Sequence, residues 1–516
     1  MMLKPFDNKD NSSARFYDKT GIAKHREWRG LANTVYDYAQ WLLNLGLLAK
    51  FFSRAPVRIV KGIWEYRWMG SYLSALHLVD RCTEGLSGPA LQVAHTYMHS
   101  IIQGAVDYIP EMLKGDRRLG ENPYASRQVY TEQAMPTEIV SGFPNLRSLP
   151  LETFQGILGT YMDQTLTPHY IDLMEKYGLP ADSCRLSSSG AGVAIADDFT
   201  QGGQCLIVNN LPCDSSTMNT QLIARRVKLP SKIMGIPMRW EDSRTDRSSV
   251  IKVKETLAFI EEQTGEKFDK EHFMRMMDQH NEEVSLELES WDYLRTPYTP
   301  YGVTSNMLIH MFSYAFSGGK LPYVVDAYRK TLKIAEKTYK NKINCFPKAR
   351  HRALFWGGSG CYYLHQPNWM YNCWGILTVA QMFNVEGNVV IDTSDMDNAL
   401  LGVAKNHEHG IMRRHLTGGW QHMLEFWDYA EKFNCDIVMI NDDITCKGAL
   451  GMAGVMMDQE KDHPDIHVMW VSNDMFDHRT ISRGDIRRQV NQYMTTVLQE
   501  EPLDESLLEF DDFEGW

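Results

Sequence analysis

Short apolar runs that end in polar residues or glycine most constrain the fold of this chain. Asp436 to Ile440 is such a run, and it leads through a polar stretch to Gly448. This pattern is typical of a buried strand, a loop and a helix. In open α/β sheets, ligands bind at the carboxyl ends of the strands. Cys446 follows this predicted strand, so it is either a small apolar residue at a helix start or a ligand at the strand end.

Similar runs occur in two parts of the chain, with helical periodicity between them. The first part holds Gln128 to Thr131, Cys205 to Val208 and the segment KIMGIPMRWEDSR, and the second holds RALFWGGSG, NVVIDTSD, DIVMINDD and IHVMWVSNDM. Alternating strands and helices imply parallel sheets. We therefore predict an α/β protein with two doubly wound, Rossmann-like parallel-sheet domains. The expected organisation is a helical N-terminal region (1–120), a first α/β domain (121–248), a helical connector (249–345) and a second α/β domain (346–516).

Charge and hydropathy narrow the classes of partner. Lys and Arg number 53 and Asp and Glu number 65, giving a net charge of −12. This balance argues against a general surface for nucleic acid or an anionic membrane. The chain has no signal-peptide core and no apolar run of about 18 residues, the length that suggests a transmembrane helix. The nine scattered cysteines form no CxxC motif, so we expect a cytoplasmic protein whose thiols stay reduced.

Three cysteines stand out by their position next to predicted strand ends. Cys184 precedes a Ser/Gly-rich stretch whose small residues allow close backbone approach, although a phosphate loop is an alternative. Cys213 follows a predicted strand in VNNLPCDSS, as Cys446 does in the second domain. Three thiolates that converge from two domains would suit an iron–sulfur cluster with one open iron. Spacing alone does not establish this, because almost any three cysteines fit such a scheme.

Glu138 and a group of histidines are further candidates. Glu138 lies in the first turn of a predicted short helix after the first strand. It is either a capping acid or an acid or base that faces a cleft at the strand ends. His407, His409 and His415 could suggest a metal site. However, i, i+2 spacing does not place two histidines on one helix face, so we predict a solvated turn there.

Several segments together resemble a known family. They are RQVYTEQAMPTEIV, the Cys184 segment, VNNLPCDSS, VMINDDITCKGAL and IHVMWVSNDMFDHRTISRGDIRRQVNQYM. In these segments, residues from about 125 to 500 resemble the 2-hydroxyacyl-CoA dehydratase family, which includes the benzoyl-CoA reductase catalytic subunits. Cys184, Cys213 and Cys446 match the order of the family's three ligand cysteines. Residues 1–120 have no counterpart in this resemblance.

The resemblance implies the iron–sulfur subunit of a radical (R)-2-hydroxyacyl-CoA dehydratase, a lyase that forms a 2-enoyl-CoA. In that chemistry, one low-potential electron converts the thioester carbonyl to a ketyl radical, which expels the α-hydroxyl and acidifies the β-hydrogen. Cys184, Cys213 and Cys446 would then hold a [4Fe–4S] cluster. The iron without a cysteine would bind a substrate oxygen, and Glu138 would assist the departing hydroxyl.

The resemblance also implies partners. We expect a homologous second subunit in a heterodimer, an ATP-dependent iron–sulfur activator that binds transiently, an acyl-CoA substrate and an anaerobic host. No nucleic-acid or membrane partner is expected.

Three alternatives stay open from the sequence. One is a subunit of an aromatic acyl-CoA reductase of the benzoyl-CoA type. Another is a non-catalytic partner subunit, in which Cys361 or Cys373 could supply a fourth cluster ligand, although a buried thiol at a turn is the simpler interpretation of Cys361. The third is an α/β binding protein without a cofactor.

Overall fold

The computed structural model describes residues 28–120, 127–132, 135, 137–210, 214–237, 242–317, 320–385, 387–410 and 420–509. These residues form two separate four-stranded sheets, and every strand pair in both sheets is parallel. Helices precede the first sheet, connect the two sheets and surround both. The predicted α/β class, with two Rossmann-like sheets and a helical N-terminal region, is confirmed.

Residues 28–120, the described part of the N-terminal region, form four α-helices and two 3₁₀ segments. The α-helices are α1 (Leu31–Arg54), α2 (Pro56–Glu65), α3 (Ala75–Thr83) and α4 (Gly88–Gly115). The 3₁₀ segments are Arg67–Ser74 and Arg117–Leu119. Pro56 begins α2, where proline is favoured because its missing N–H would have no partner inside the helix.

The first sheet has the strand order β2-β1-β3-β4. Its strands are β1 (Gln128–Thr131), β2 (Arg147–Pro150), β3 (Gly203–Asn209) and β4 (Ser231–Met234). Its helices are α5 (Glu138–Ser141), α6 (Leu158–Met162), α7 (Leu166–Lys176), α8 (Arg185–Ile195) and α9 (Asp214–Val227), and a π-helical turn at Thr153–Ile157 precedes α6. The strands predicted at 128–131 and 205–208 are confirmed.

Four helices connect the sheets: α10 (Ser243–Thr264), α11 (Lys270–Leu294), α12 (Val303–Phe312) and α13 (Pro322–Lys340). A π-helical turn at Ser313–Ser317 follows α12. Asp242 and Asp269 cap α10 and α11, because their carboxylates accept hydrogen bonds from the first backbone N–H groups. The boundary expected at residues 248–249 lies inside α10.

The second sheet has the order β6-β5-β7-β8, which repeats the connectivity of the first sheet. Its strands are β5 (His351–Trp356), β6 (Ile376–Gln381), β7 (Ile437–Asp443) and β8 (His467–Asn473). Its helices are α14 (Gln366–Trp374), α15 (Met382–Val385), α16 (Met396–Glu408), α17 (Trp420–Lys432), α18 (Lys447–Gln459) and α19 (Arg483–Thr496). Three 3₁₀ segments accompany them at Cys361–Tyr363, Glu460–Asp462 and Glu505–Leu507.

The strand predicted in NVVIDTSD is wrong. Residues 388–393 have no regular structure, and the run ILTVAQ forms β6 instead. The carbonyl oxygens of Val389 and Ile391 pair with the side chains of His280 and Asn281 on α11. The run at 388–391 therefore lies against the connector helix α11. The strand β6, in contrast, lies inside the second sheet and is buried at all six positions.

Two further predictions need correction. The Ser/Gly-rich stretch after Cys184 is the helix α8, so it is not a phosphate loop. Its small residues do allow close approach, because a Cβ on Gly192 would lie 2.1 Å from the backbone oxygen of Tyr170.

His407 is buried at the end of α16, so the solvated turn predicted there is wrong for this residue. His415 lies outside the described residues.

One continuous cluster of buried apolar side chains links the N-terminal helices to both sheets. It includes Trp68 and Tyr97 from the N-terminal region, Tyr130 from the first sheet, and Leu354 and Val438 from the second. Two smaller clusters cover other faces of the sheets. Across the described ranges, no helix has both the length and the hydropathy that a bilayer crossing requires.

Candidate functional site

The two sheets place equivalent segments at equivalent positions. In each sheet the strand order reverses beside its first strand, between β1 and β3 or between β5 and β7. Such a switch point opens a crevice at the carboxyl ends of the strands, where ligands bind in α/β folds. Cys213 follows β3 by four residues, and Cys446 follows β7 by three. The sequence prediction that both cysteines follow a strand is therefore confirmed.

All three candidate cysteines immediately precede a helix. Cys184 is the N-cap of α8 and lies between α7 and α8, so the prediction that it adjoins a strand end is wrong. Cys446 is the N-cap of α18. Cys213 itself lies outside the described residues, but α9 begins at the next residue, Asp214. Unpaired N–H groups give a helix N-terminus a partial positive charge, which favours a thiolate over a thiol.

Hydrogen bonds between distant segments bring these helix starts together. The backbone N–H of Cys184 donates to Ser215 Oγ over 3.1 Å, and Ser215 is the second residue of α9. The backbone N–H of Arg185 donates to Thr445 Oγ1 over 3.4 Å, and Thr445 directly precedes Cys446. These contacts place the start of α8, which carries Cys184, beside the start of α9 and beside the segment that carries Cys446. Both side chains are half-buried.

Buried charges hold the segment that carries Cys446. Asp443 Oδ1 accepts hydrogen bonds from Thr445 N and Thr445 Oγ1, at 2.9 and 2.8 Å. Burial raises the pKa of Asp443 to about 7, and the charge of Asp474 adds to the shift. Arg185 Nε in turn approaches Asp474 Oδ2 at 3.4 Å. This chain of contacts joins α8 in the first half of the protein to the ends of β7 and β8.

Cys361, considered above as a fourth ligand, lies in a buried turn after β5. Burial raises the pKa of its thiol to about 12, and a hydrogen bond with Tyr161 only partly offsets that shift. Its backbone N–H donates to Met475 O over 2.7 Å. A thiol with this pKa keeps its proton at neutral pH, which fits a buried thiol at a turn.

Glu138 is the first residue of α5 and is fully buried. Its Oε1 lies 2.9 Å from Nδ1 of His280 on α11, and Nε2 of His280 lies 2.9 Å from Val389 O. Burial by itself would lower the pKa of His280, but the hydrogen bond and charge of Glu138 outweigh it and raise the pKa.

A small cavity of about 20 Å³ adjoins this pair. Carboxylates and imidazoles from three other residues line it: Glu283, Glu287 and His310. Room for about one water molecule remains. Neither Cys184 nor Cys446 lines the cavity, and the described ion pair of Glu138 is with the connector helix α11.

Glu132 was missed in the sequence. Its side chain accepts hydrogen bonds from Asn209, at the end of β3, and from Ser216 Oγ at 3.2 Å, near the start of α9. Glu132 follows β1 directly, so position after a strand was the available signal. Its contacts with α9 join residues more than 80 positions apart, and no local pattern encodes them.

Within the described ranges, no three His, Cys, Asp or Glu side chains are grouped to hold a metal ion, and Cys213 lies outside those ranges. The family model of the 2-hydroxyglutaryl-CoA dehydratase D-component matches residues 135–496. The matched part contains Glu138 and all three candidate cysteines, and it excludes helices α1 to α4 and strand β1. A comparison with curated proteins gave no match.

Proposed function

Because the chain belongs to the 2-hydroxyglutaryl-CoA dehydratase D-component family, we propose that it is the iron–sulfur subunit of a radical (R)-2-hydroxyacyl-CoA dehydratase. Membership makes it a dehydratase component that acts together with a partner component. The proposal adds the cofactor, the residues that hold it and the radical course of the reaction.

The contacts that join the start of α8 to α9 and to the segment of Cys446 carry this proposal. Cys184, Cys213 and Cys446 would hold a [4Fe–4S] cluster, because three cysteine sulfurs at helix N-termini fit its preference for thiolate ligands and leave one iron open. When bound, such a cluster supplies a low-potential electron and a Lewis-acidic iron.

The protein's own residues would position the substrate and move protons. Helix N-termini stabilise the thiolates, and Arg185 and Asp474 fix the segments that carry them. The proton shared by Glu138 and His280 would pass through Glu138 to the α-hydroxyl, which leaves as water, and the proton lost from the β-carbon would restore the one donated. The electron that forms the ketyl radical is returned at the end, so dehydration consumes no net electrons. Glu132 is an alternative proton donor because it contacts α9.

The proposal also includes partners and a compartment. The partner component would be a homologous subunit, and an ATP-dependent iron–sulfur activator would deliver the electron transiently. The substrate would be an acyl-CoA. Low-potential chemistry of this kind requires a reducing, anaerobic cytoplasm.

Iron and acid-labile sulfide in anaerobically purified protein, produced with its partner component, test the cofactor. We expect about four irons in a site built by this chain. Cys184→Ala and Cys446→Ala should lose most of this iron, because each removes a thiolate ligand. Cys345→Ala is the matched control, since burial raises the pKa of that thiol to about 11 and it should keep its proton. Wild-type protein without iron would contradict the proposal.

Substrate assays with the activator test the reaction and the acid. Glu138→Gln should keep the iron and lower kcat about a hundredfold, the usual range for loss of a general acid. If Glu132→Gln has this effect and Glu138→Gln does not, the proton donor is Glu132. Product analysis separates dehydration from aromatic acyl-CoA reduction, because reduction consumes electrons stoichiometrically.

A further inference from the structure

Several buried polar groups around the small cavity beside Glu138 have no hydrogen-bond partner in the described part of the chain. They are one carboxylate oxygen each of Glu138 and Glu287, the side-chain N–H₂ group of Asn388, and both amide atoms of Asn406. All four residues line the cavity. Asn406 is fully buried, and Glu138 and Glu287 are 2% and 3% exposed. Because a buried polar group without a partner is costly, such groups around one cavity indicate a polar ligand.

The cavity and its polar groups match one water molecule. A volume of about 20 Å³ holds a single water, and a buried water needs two to four polar partners. Its two O–H groups would donate to the carboxylates of Glu138 and Glu287, and its oxygen would accept from the N–H₂ groups of Asn388 and Asn406. An ammonium ion or a metal cation cannot accept a hydrogen bond, so it would leave those N–H₂ groups without a partner.

Each of the two carboxylates also belongs to a Glu–His pair. Glu138 Oε1 lies 2.9 Å from His280 Nδ1, and Glu287 Oε2 lies 2.8 Å from His310 Nδ1. A hydrogen bond of this length holds one proton between its two atoms. The other ring nitrogen of His280 faces Val389 O, which can only accept, so that nitrogen carries its own proton. Each pair therefore stores one proton, and the second oxygens of both carboxylates are the groups that lack a partner.

A π-helical turn forms part of the cavity wall. His310 lies near the end of α12, and the π-helical turn Ser313–Ser317 follows directly. Two residues of this turn, Ser313 and Tyr314, line the cavity. Single π-helical turns are frequent at functional sites. The local backbone is thus a second feature that marks this cavity, besides its polar side chains.

We propose that the cavity binds one water molecule, which joins the Glu138–His280 and Glu287–His310 pairs into a single proton relay. When Glu138 gives up its proton, the water donates one of its protons to Glu138 and takes one from the Glu287–His310 pair. The proton lost from the β-carbon returns along the same path and restores that pair. Glu287 and His310 act through Glu138 and do not touch the substrate. The relay rests on the proposed function, whereas the water site does not.

Urea denaturation of the intact protein tests the water site through Asn406→Leu. Leucine has nearly the shape of asparagine, with two methyl groups in place of the amide atoms. If the amide binds the water, this variant should raise the unfolding equilibrium constant about tenfold, the usual effect of losing one hydrogen bond. If the amide has no ligand, leucine should stabilise the protein, because a buried methyl group costs less than an unpaired amide. Unchanged or increased stability therefore overturns the proposal.

A crystal structure of the wild-type protein identifies the ligand in the cavity. We expect one water molecule within about 3.2 Å of Glu138, Glu287 and Asn406, the range of ordinary hydrogen bonds. A cation with shorter contacts to oxygen, or no density at this position, overturns the proposal.

Substrate assays with the activator test the relay through Glu287→Gln. This variant should keep its iron and its KM, lower kcat at least tenfold and raise the solvent isotope effect on kcat, because the return of a proton to Glu138 becomes slower. Glu283→Gln is the matched control. Glu283 is also a buried glutamate that lines this cavity, but it accepts a hydrogen bond from Ser313. It should lower kcat much less.

Equal losses of kcat in the two variants would show an effect of charge alone and overturn the relay. Wild-type protein that holds the water but does not dehydrate an acyl-CoA overturns the proposed function and the relay with it, whereas the water site then stands. The two failures are therefore distinguishable.

Discussion

At the residue scale, the His280–Glu138 pair links the candidate acid to the connector helix. Both side chains are buried, and the pKa of His280 is raised. A raised histidine pKa contributes stability that is complete below the ordinary pKa of about 6.5 and is lost as pH rises through the folded-state pKa. The pair therefore stabilises the fold more at pH 6 than at pH 9.

We expect His280→Gln to lower the free energy of unfolding by about 3 kcal/mol at pH 6, because it leaves Glu138 buried without a charged partner. The loss should be smaller at pH 9. Urea denaturation at the two pH values measures both. His272→Gln is a control on the same helix, since burial and then Lys320 and Arg275 lower the pKa of His272. The effect of His272→Gln on the free energy of unfolding should have the opposite pH dependence. Equal losses of stability for His280→Gln at both pH values would contradict the pairing of His280 with Glu138.

At the element scale, close packing of α8 against α7 sets the position of Cys184. Gly192 of α8 faces the backbone of Tyr170, and a Cβ there would lie 2.1 Å from its carbonyl oxygen. The backbone of Tyr170 cannot move aside as the end of a flexible side chain can. The small residues after Cys184 are therefore a packing requirement for the helix that begins at the cysteine.

Gly192→Ala should destabilise the protein by about 2 kcal/mol and reduce bound iron, because α8 must move away from α7. Gly454→Ala is the matched control in α18, the helix that follows Cys446. No atom lies within 4 Å of a Cβ at Gly454, so alanine should stabilise the helix by up to about 1 kcal/mol. Chemical denaturation and iron analysis of both variants measure these effects; unchanged stability of Gly192→Ala would contradict the packing.

At the scale of the whole molecule, the two sheets share one apolar core and several polar contacts. The largest cluster of buried side chains includes residues of both sheets and of the N-terminal helices. Arg185 meets Asp474 across the two halves, and Arg479 binds both oxygens of Asp172 at 3.1 and 2.9 Å. The exposed Arg479 pair contributes little because solvent screens it. The shared core is the main link.

This continuity predicts that the protein unfolds in a single cooperative transition, although chains of this length often unfold domain by domain. Differential scanning calorimetry should give equal calorimetric and van't Hoff enthalpies. Two resolved transitions would show that the sheets form independent units.

Much of the fold was predictable because burial has a local signature. Runs such as QVYT and DIVMINDD are apolar where a strand is covered on both faces, so β1 and β7 were placed correctly, and Cys446 at the end of β7. The β6 strand was missed because NVVIDTSD also contains a short apolar run, Val389 to Ile391. Side chains of α11 bind the backbone of Val389 and Ile391, so this run is not part of the sheet. That contact is visible only in the tertiary structure.

The sequence by itself determined the alternation of strands and helices, and hence that Cys213 and Cys446 follow strands. Each of these depends on side chains a few positions apart. Tertiary structure alone decided that the segments of Cys184 and Cys446 are neighbours, because the hydrogen bond that joins them runs from Arg185 to Thr445, which are 260 positions apart. It also decided that Glu138 faces His280. These contacts depend on which surfaces of the folded chain meet, and residues close together in the sequence do not specify them.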